Sequence, residues 1–296
     1  MHRSARSFRL SVPGATLHCE TIGEGPLLLF IPGGALDAGA YGDLARELAD
    51  RYTVVSFDPR GNSRSTLDDP PVDLRVEIQA DDVVRIIDAM GGAPALVFGG
   101  SGGAQIALDV AARYPSHVDV VVAHEPPCSL LLDDPQDAVA SDRRIHTAFL
   151  AGGVRGGIEA FMTESGMHAS NDKTPASVAP DNEESRNTSK RVSANLTAFF
   201  AHGLLPLSMY EPDVHVLRQR SSRLEIGIGV DSAGLVTART SDALARRLDI
   251  TTTTFPGGHT GYTTHPAAFA AALDLLLSED SDTRHSVTAS TRDARR

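Results

Sequence analysis

The sequence has no tryptophan, only two cysteines, and less positive than negative charge. Cys19 and Cys128 are too few for a disulfide framework and too far apart for a metal clip, so a reducing compartment is the default expectation. No stretch approaches the ~18 apolar residues of a membrane helix. The basic leader MHRSARSFRLSVPG has no apolar segment behind it of the kind a signal peptide needs. The expectation is a cytoplasmic protein without a membrane partner. Lys and Arg number 27 against 38 Asp and Glu, a formal net charge of -11. That balance argues against nucleic acid, whose binding draws most of its affinity from basic side chains on phosphates. A small neutral or cationic molecule suits it better, and nothing in the sequence opposes a homodimer.

What is present is a globular composition. Apolar residues make up 41% and charged residues 22% of 296, enough for one large core carrying an insertion. Phe8 to Ser11 and Thr16 to Thr21 read as strands around the Pro13-Gly14 turn, and Leu27 to Ile31 as a buried strand. Helix Asp43 to Asp50, strand Tyr52 to Phe57, helix Leu74 to Met90, strand Ala95 to Phe98, helix Ala104 to Arg113 and strand Val118 to Ala123 follow. The alternation resumes with strand Leu224 to Gly229, helix Ser241 to Leu248, strand Thr251 to Phe255 and helix Pro266 to Leu277. Strands alternating with amphipathic helices predict a mainly parallel sheet covered on both faces. Between the two runs lie helical patches at Arg143 to Leu150, Gly157 to Thr163 and Val192 to His202, around a polar stretch from Ser170 to Lys190. These are expected to form a helical cap, residues 127–218, on a core made of 8–126 and 219–278, with flexible tails at 1–7 and 279–296.

Gly99-Gly100-Ser101-Gly102-Gly103 lies between an apolar strand and a helix. The G-x-S-x-G pattern in that context marks Ser101 as the candidate nucleophile, because a turn sharp enough to expose the serine needs small residues two positions to either side so that nothing clashes. A Rossmann fingerprint or a P-loop would need a different position or a lysine, and neither is present. The base a serine requires is assigned to His259, in Pro256-Gly257-Gly258-His259 directly after the last strand, which places it on the sheet edge that bears Ser101. His124 and His202 are the other histidines able to line a pocket. Two carboxylates compete to orient His259. Asp231 has the commoner location, but in Gly229-Val230-Asp231-Ser232 the usual spacing puts Ser232 where the acid belongs. Glu125 ends a buried strand and is followed by two prolines, a costly place for a carboxylate without a partner. Glu125 is favoured, with Asp231 the alternative. For the oxyanion, Gly102 supplies one backbone N–H, and the turn in Ile31-Pro32-Gly33-Gly34-Ala35 supplies the second from Gly34 or Ala35, with Gly34 preferred. A metal reading of His124, Glu125 and His259 is the remote alternative, and the chemistry itself needs no metal or cofactor.

Taken together, Phe30-Ile31-Pro32-Gly33-Gly34, Phe57-Asp58-Pro59-Arg60-Gly61-Asn62-Ser63-Arg64-Ser65, the Ser101 turn, His124-Glu125-Pro126-Pro127 and Pro256-Gly257-Gly258-His259 resemble the α/β-hydrolase superfamily from about Phe8 to Leu277. The resemblance implies an α/β-hydrolase fold and a structural role for Asp58 and Arg60. The sequence departs from the family's common His-Gly oxyanion motif, with Ile31-Pro32 in its place. A narrower likeness is to lactone hydrolases acting on zearalenone, which carry an Ile-Pro-x-Gly loop and a His-Glu-x-Pro segment whose glutamate is the triad acid. It implies that role for Glu125, with Gly34 in the oxyanion loop. The expected activity is hydrolysis of a carboxylic ester or lactone of a small, largely apolar substrate by Ser101, His259 and Glu125. A C–C bond hydrolase, a non-hydrolytic enzyme or a ligand-binding receptor of the same fold are the alternatives, because fold alone does not give the reaction.

Overall fold

The computed structural model describes residues 5–91, 94–166, 182–219 and 222–278. The tail read at 279–296 lies outside them. The chain opens with a hairpin, β1 (Arg6–Val12) and β2 (Ala15–Ile22), paired antiparallel about the Pro13-Gly14 turn. β1 begins at Arg6, so residues 6 and 7, read above as tail, are strand. Then come β3 (Leu27–Ile31), α1 (Gly42–Leu48), β4 (Thr53–Phe57), the short β5 (Thr66–Leu67), α2 (Val76–Ala89), β6 (Ala95–Gly100), α3 (Gly102–Arg113) and β7 (Val118–His124). After an insertion the chain returns as β8 (Arg223–Gly229), α8 (Val236–Leu248), β9 (Thr252–Phe255), a short turn of helix α9 (Gly261–Thr264) and α10 at residues 266–278.

The strands form one sheet in the order β1-β2-β4-β3-β6-β7-β8-β9, with β5 paired to β2. β3, β4, β6, β7, β8 and β9 run parallel, and the hairpin closes one edge antiparallel. β3 shows why its sequence is a continuous apolar run. Leu28 and Phe30 join a core cluster with α1 and α10, whereas Leu27, Leu29 and Ile31 join the cluster formed with α2, α3 and α8. Both faces are therefore covered, and each fully buried side chain contributes about 1.5–3 kcal/mol.

The insertion contains α4 (Pro135–Glu164), α5 (Glu183–Ala198), a π-helical turn at Phe199–Gly203, α6 (Leu204–Ser208) and α7 (Val214–Gln219). Two of the separate patches expected from the sequence belong to α4, which breaks at Gly153 (φ 62°, ψ -158°). Residues 170–181 of the polar stretch expected to separate helices lie outside the described residues, and from Glu183 onward it is helical, with Asn182 capping the helix by accepting from the Ser185 amide. Polarity there reflects a solvent-facing helix and not a loop. Helix α8 starts at Val236, five residues before the expected Ser241, because its first turn is partly apolar and buries against the core. Leu217 of α7 is fully buried in the sheet-side core, so the insertion is continuous with the core at that end.

Candidate active site

Ser101 stands between β6 and α3 at φ 55° and ψ -126°, a conformation costing on the order of 1–3 kcal/mol for a residue with a side chain. The turn around it is held by the Ser101 amide donating to the His124 carbonyl at 2.9 Å and the Ala104 amide donating to the Ser101 carbonyl at 2.9 Å. The glycine spacing has a steric cause. A Cβ on Gly99 would lie 2.3 Å from the Gly103 carbonyl oxygen, and one on Gly103 would lie 2.1 Å from that of Ile31. Strand, turn and helix are therefore in backbone contact, and Ser101 is held at the carboxyl end of the sheet.

Glu125 follows β7 and is the second strained residue of the site, at φ 49°. Its side chain is fully buried and accepts three hydrogen bonds. Oε1 takes the Gly229 amide at 2.8 Å, and Oε2 takes the Thr237 hydroxyl at 2.7 Å and His259 Nδ1 at 2.8 Å. Burial pushes this carboxyl up, but the hydrogen bond and charge of His259 outweigh it, with smaller contributions from His124 and Ser232, and hold it well below the usual carboxylate range. The group is a carboxylate at neutral pH. His259, on the turn between β9 and α9, is itself buried. With Nδ1 engaged by Glu125, Nε2 is the nitrogen left to exchange a proton.

Asp231 is exposed and anchored through its backbone amide to the Gly257 carbonyl. The carboxylate in contact with His259 is Glu125. Ser232 is fully buried, where the sequence spacing would otherwise place an acid.

Gly34, Ser101, Gly102 and His259 line one cavity of about 110 Å³. Ala35 is not part of its wall. Gly34 occupies the second position of a turn closed by the Leu36 amide on the Gly33 carbonyl, at φ 57°, which favours glycine. Its amide nitrogen is 3.5 Å from where a Gly102 Cβ would stand, so the two candidate oxyanion donors are adjacent. α5 of the insertion braces this turn. Asn195 Nδ2 donates to the Ala35 carbonyl at 2.9 Å, Asn195 Oδ1 accepts from the Ser63 amide at 2.8 Å, and Arg191 pairs with buried Asp37. Behind the turn, Asp58 accepts from the Ala38 amide and from Arg64, while Arg60 grips Asp82 of α2 with two hydrogen bonds. Both acidic pairs tie loops to the core and stay outside the cavity.

His124 does not line the cavity. It is fully buried against Phe98, Phe255, Tyr262 and Phe269, on the opposite face of β7 from the carboxylate that follows it. Burial is the main cause that lowers its pKa, to about 4, so it is neutral at pH 7. Among the described residues no group of His, Cys, Asp and Glu is arranged to hold a metal ion. His202 borders a separate, larger cavity of about 710 Å³ and pairs with Asp73. Gly34, Gly102, Phe199 and Leu207 line both cavities, so the two share a wall. Sequence reasoning missed Thr237, which carries no motif, and Asp142 of α4, which lines the Ser101 cavity from the insertion.

The alpha/beta hydrolase fold family matches residues 26–174. An uncharacterized hydrolase of Bacillus subtilis (strain 168), YraK, is 34% identical over 277 residues, covering 92% of this chain and 96% of that protein. The zearalenone hydrolase of Bionectria ochroleuca is 29% identical over 160 residues, 52% of this chain and 61% of that enzyme. Among solved structures, a thermophilic esterase from Thermogutta terrifontis superposes with a TM-score of 0.71 at 19% identity, over 93% of this chain and 98% of that one. No helix among the described residues is long and apolar enough to cross a membrane. The chain belongs to the alpha/beta hydrolase fold family.

Proposed function

We propose that the protein is a serine hydrolase that cleaves a carboxylic ester or lactone of a small, largely apolar substrate. The observation that carries this reading is the 2.8 Å contact of buried Glu125 with His259, which lines the same cavity as Ser101. In the proposed reaction His259 Nε2 takes the Ser101 hydroxyl proton as Oγ attacks the carbonyl. The Gly34 and Gly102 amides receive the oxyanion, and His259 returns the proton to the departing alkoxide. Water then enters by the same route and releases the acid from the acyl-enzyme. Glu125 fixes the tautomer with Nδ1–H and stabilises the imidazolium. Each oxyanion donor is worth on the order of 10²–10³ in rate.

Cavity size limits the substrate. At about 110 Å³ the space is well under the 300–1,000 Å³ of sites for drug-sized ligands, so the buried portion is a short acyl or alkyl group. Apolar walls from Ile145, Phe161, Phe199, Leu204, Leu207 and Leu235 favour hydrocarbon. The likeness to a zearalenone hydrolase supports a lactone as readily as an open ester. We read residues 127–218 as the cap that supplies most of these walls. A fluorophosphonate probe tests the reading: it labels Ser101 only if that serine is activated, and Ser101→Ala removes both labelling and ester turnover.

A further inference from the structure

The Ser101 cavity has a second polar element that the proposed hydrolysis leaves unused. Asp142 of α4 lines it, with Oδ2 accepting the hydroxyl of buried Ser208 at 2.7 Å. Glu164 lies in the same wall, but its charge is already answered. Arg144 donates to both of its oxygens at 2.8 and 2.7 Å, and Ser141 adds a bond at 2.7 Å. Asp142 has no such cation among the described residues; its neighbour Glu164 repels it, and burial with that repulsion pushes its carboxyl up against the lowering effect of Ser208. The hydroxyl oxygen of Ser165, also in the cavity wall, is buried without a hydrogen-bond partner. An acceptor-rich corner among apolar side chains is costly unless something supplies donors to it. The nearby cation, Arg144, is spent on Glu164, and the one donor that reaches Asp142 among the described residues is the Ser208 hydroxyl.

Resting on the hydrolase reading above, we infer that Asp142 is a specificity-determining residue that receives a hydrogen-bond donor, a hydroxyl or an ammonium, on the part of the substrate held in the cavity while the ester or lactone carbonyl lies at Ser101. The substrate class is then a short ester or lactone that bears a donor on its buried portion. This distinguishes it from a plain hydrocarbon ester, for which the corner would be an unsatisfied cost.

Three methyl esters of equal size test this: methyl 3-methylbutanoate, methyl 3-hydroxybutanoate and methyl 3-aminobutanoate, which place CH₃, OH or NH₃⁺ at one position. We expect wild-type kcat/KM for the hydroxyl or the ammonium ester to exceed that for the methyl isostere by about tenfold or more. In Asp142→Asn an ammonium preference should fall toward a ratio of one, whereas a hydroxyl preference should partly survive because the amide oxygen still accepts. The two sources of the donor are separated in this way. Ratios within one variant do not depend on how much properly folded enzyme is present. Equal rates or a preference for the methyl ester in the wild type would overturn the inference, as would a preference unaltered by Asp142→Asn. If the fluorophosphonate labels Ser101 and the esters are cleaved without preference, this inference alone fails; if Ser101 is not labelled, the hydrolase reading fails with it.

Discussion

Replacing Glu125 by Gln should nearly abolish turnover while leaving the fold in place, and the hydrogen bonds around the side chain say why. The carboxylate accepts from the Gly229 amide on Oε1 and from Thr237 and His259 on Oε2. A glutamine has one acceptor oxygen and one NH₂ group. The Gly229 N–H can only donate, so the amide oxygen must stay there. The Thr237 hydroxyl can rotate to accept, so the NH₂ takes the Oε2 position and points at His259 Nδ1. That nitrogen then has to accept, the ring proton moves to Nε2, and Nε2 can no longer take the Ser101 proton. A wrong tautomer of this kind costs ~10⁴-fold in kcat, about 5 kcal/mol of transition-state stabilisation. Asp231→Asn alters an exposed side chain with no contact to His259 and should leave kcat within about twofold. Steady-state hydrolysis of a small activated ester, with circular dichroism of each variant, measures both. Retention of more than a tenth of the activity by a folded Glu125→Gln enzyme, or its loss in Asp231→Asn, would refute the reasoning.

Three further outcomes are expected. His124 is neutral and buried, with its pKa lowered from 6.5 to about 4; the unfolded chain therefore takes up a proton that the native one refuses, and stability falls with pH across that window. Between pH 7 and pH 5 urea denaturation should show a loss of about 2 kcal/mol, and His124→Phe, which suits the surrounding aromatic rings, should remove it. If the pH dependence is the same in both proteins, His124 is not its cause. Gly99→Ala places a Cβ 2.3 Å from the Gly103 carbonyl oxygen and should destabilise by on the order of 3 kcal/mol or more, read from the shift of the urea midpoint; a stable, active variant would show that the backbone contact does not constrain the turn. Phe199→Ala takes a ring out of the wall between the 110 Å³ and 710 Å³ cavities and should raise kcat/KM for hexanoate relative to acetate esters by about tenfold, an expectation that an unchanged chain-length profile would contradict.

The core and the arrangement of the candidate site at its edge were legible in the sequence because both follow from local rules. Buried parallel strands need continuous apolar runs, as in Leu27–Ile31, and a serine on a tight strand-to-helix turn needs the glycines that flank Ser101. Glu125 could be preferred over Asp231 for an equally local reason, since a carboxylate at the end of a buried strand demands a partner. The insertion was harder. α5 carries mostly polar residues because it is exposed, and its ties to the site run through single side chains, Arg191 and Asn195, that show no periodicity. Thr237 and Asp142 are likewise ordinary helical residues until the fold brings α8 against Glu125 and α4 over the Ser101 cavity. His124 was open to reading as a pocket residue because the sequence does not say which face of β7 it occupies; strand alternation sends it to the aromatic side, away from the cavity.

The most direct measurement is mass-spectrometric identification of the residue modified by a fluorophosphonate, carried out on the wild type and on Glu125→Gln. A single adduct on Ser101 is expected, formed rapidly in the wild type and far more slowly in the variant. Labelling elsewhere, or no labelling of a folded wild-type protein, would contradict the claim that Ser101 is a nucleophile activated through His259 and Glu125.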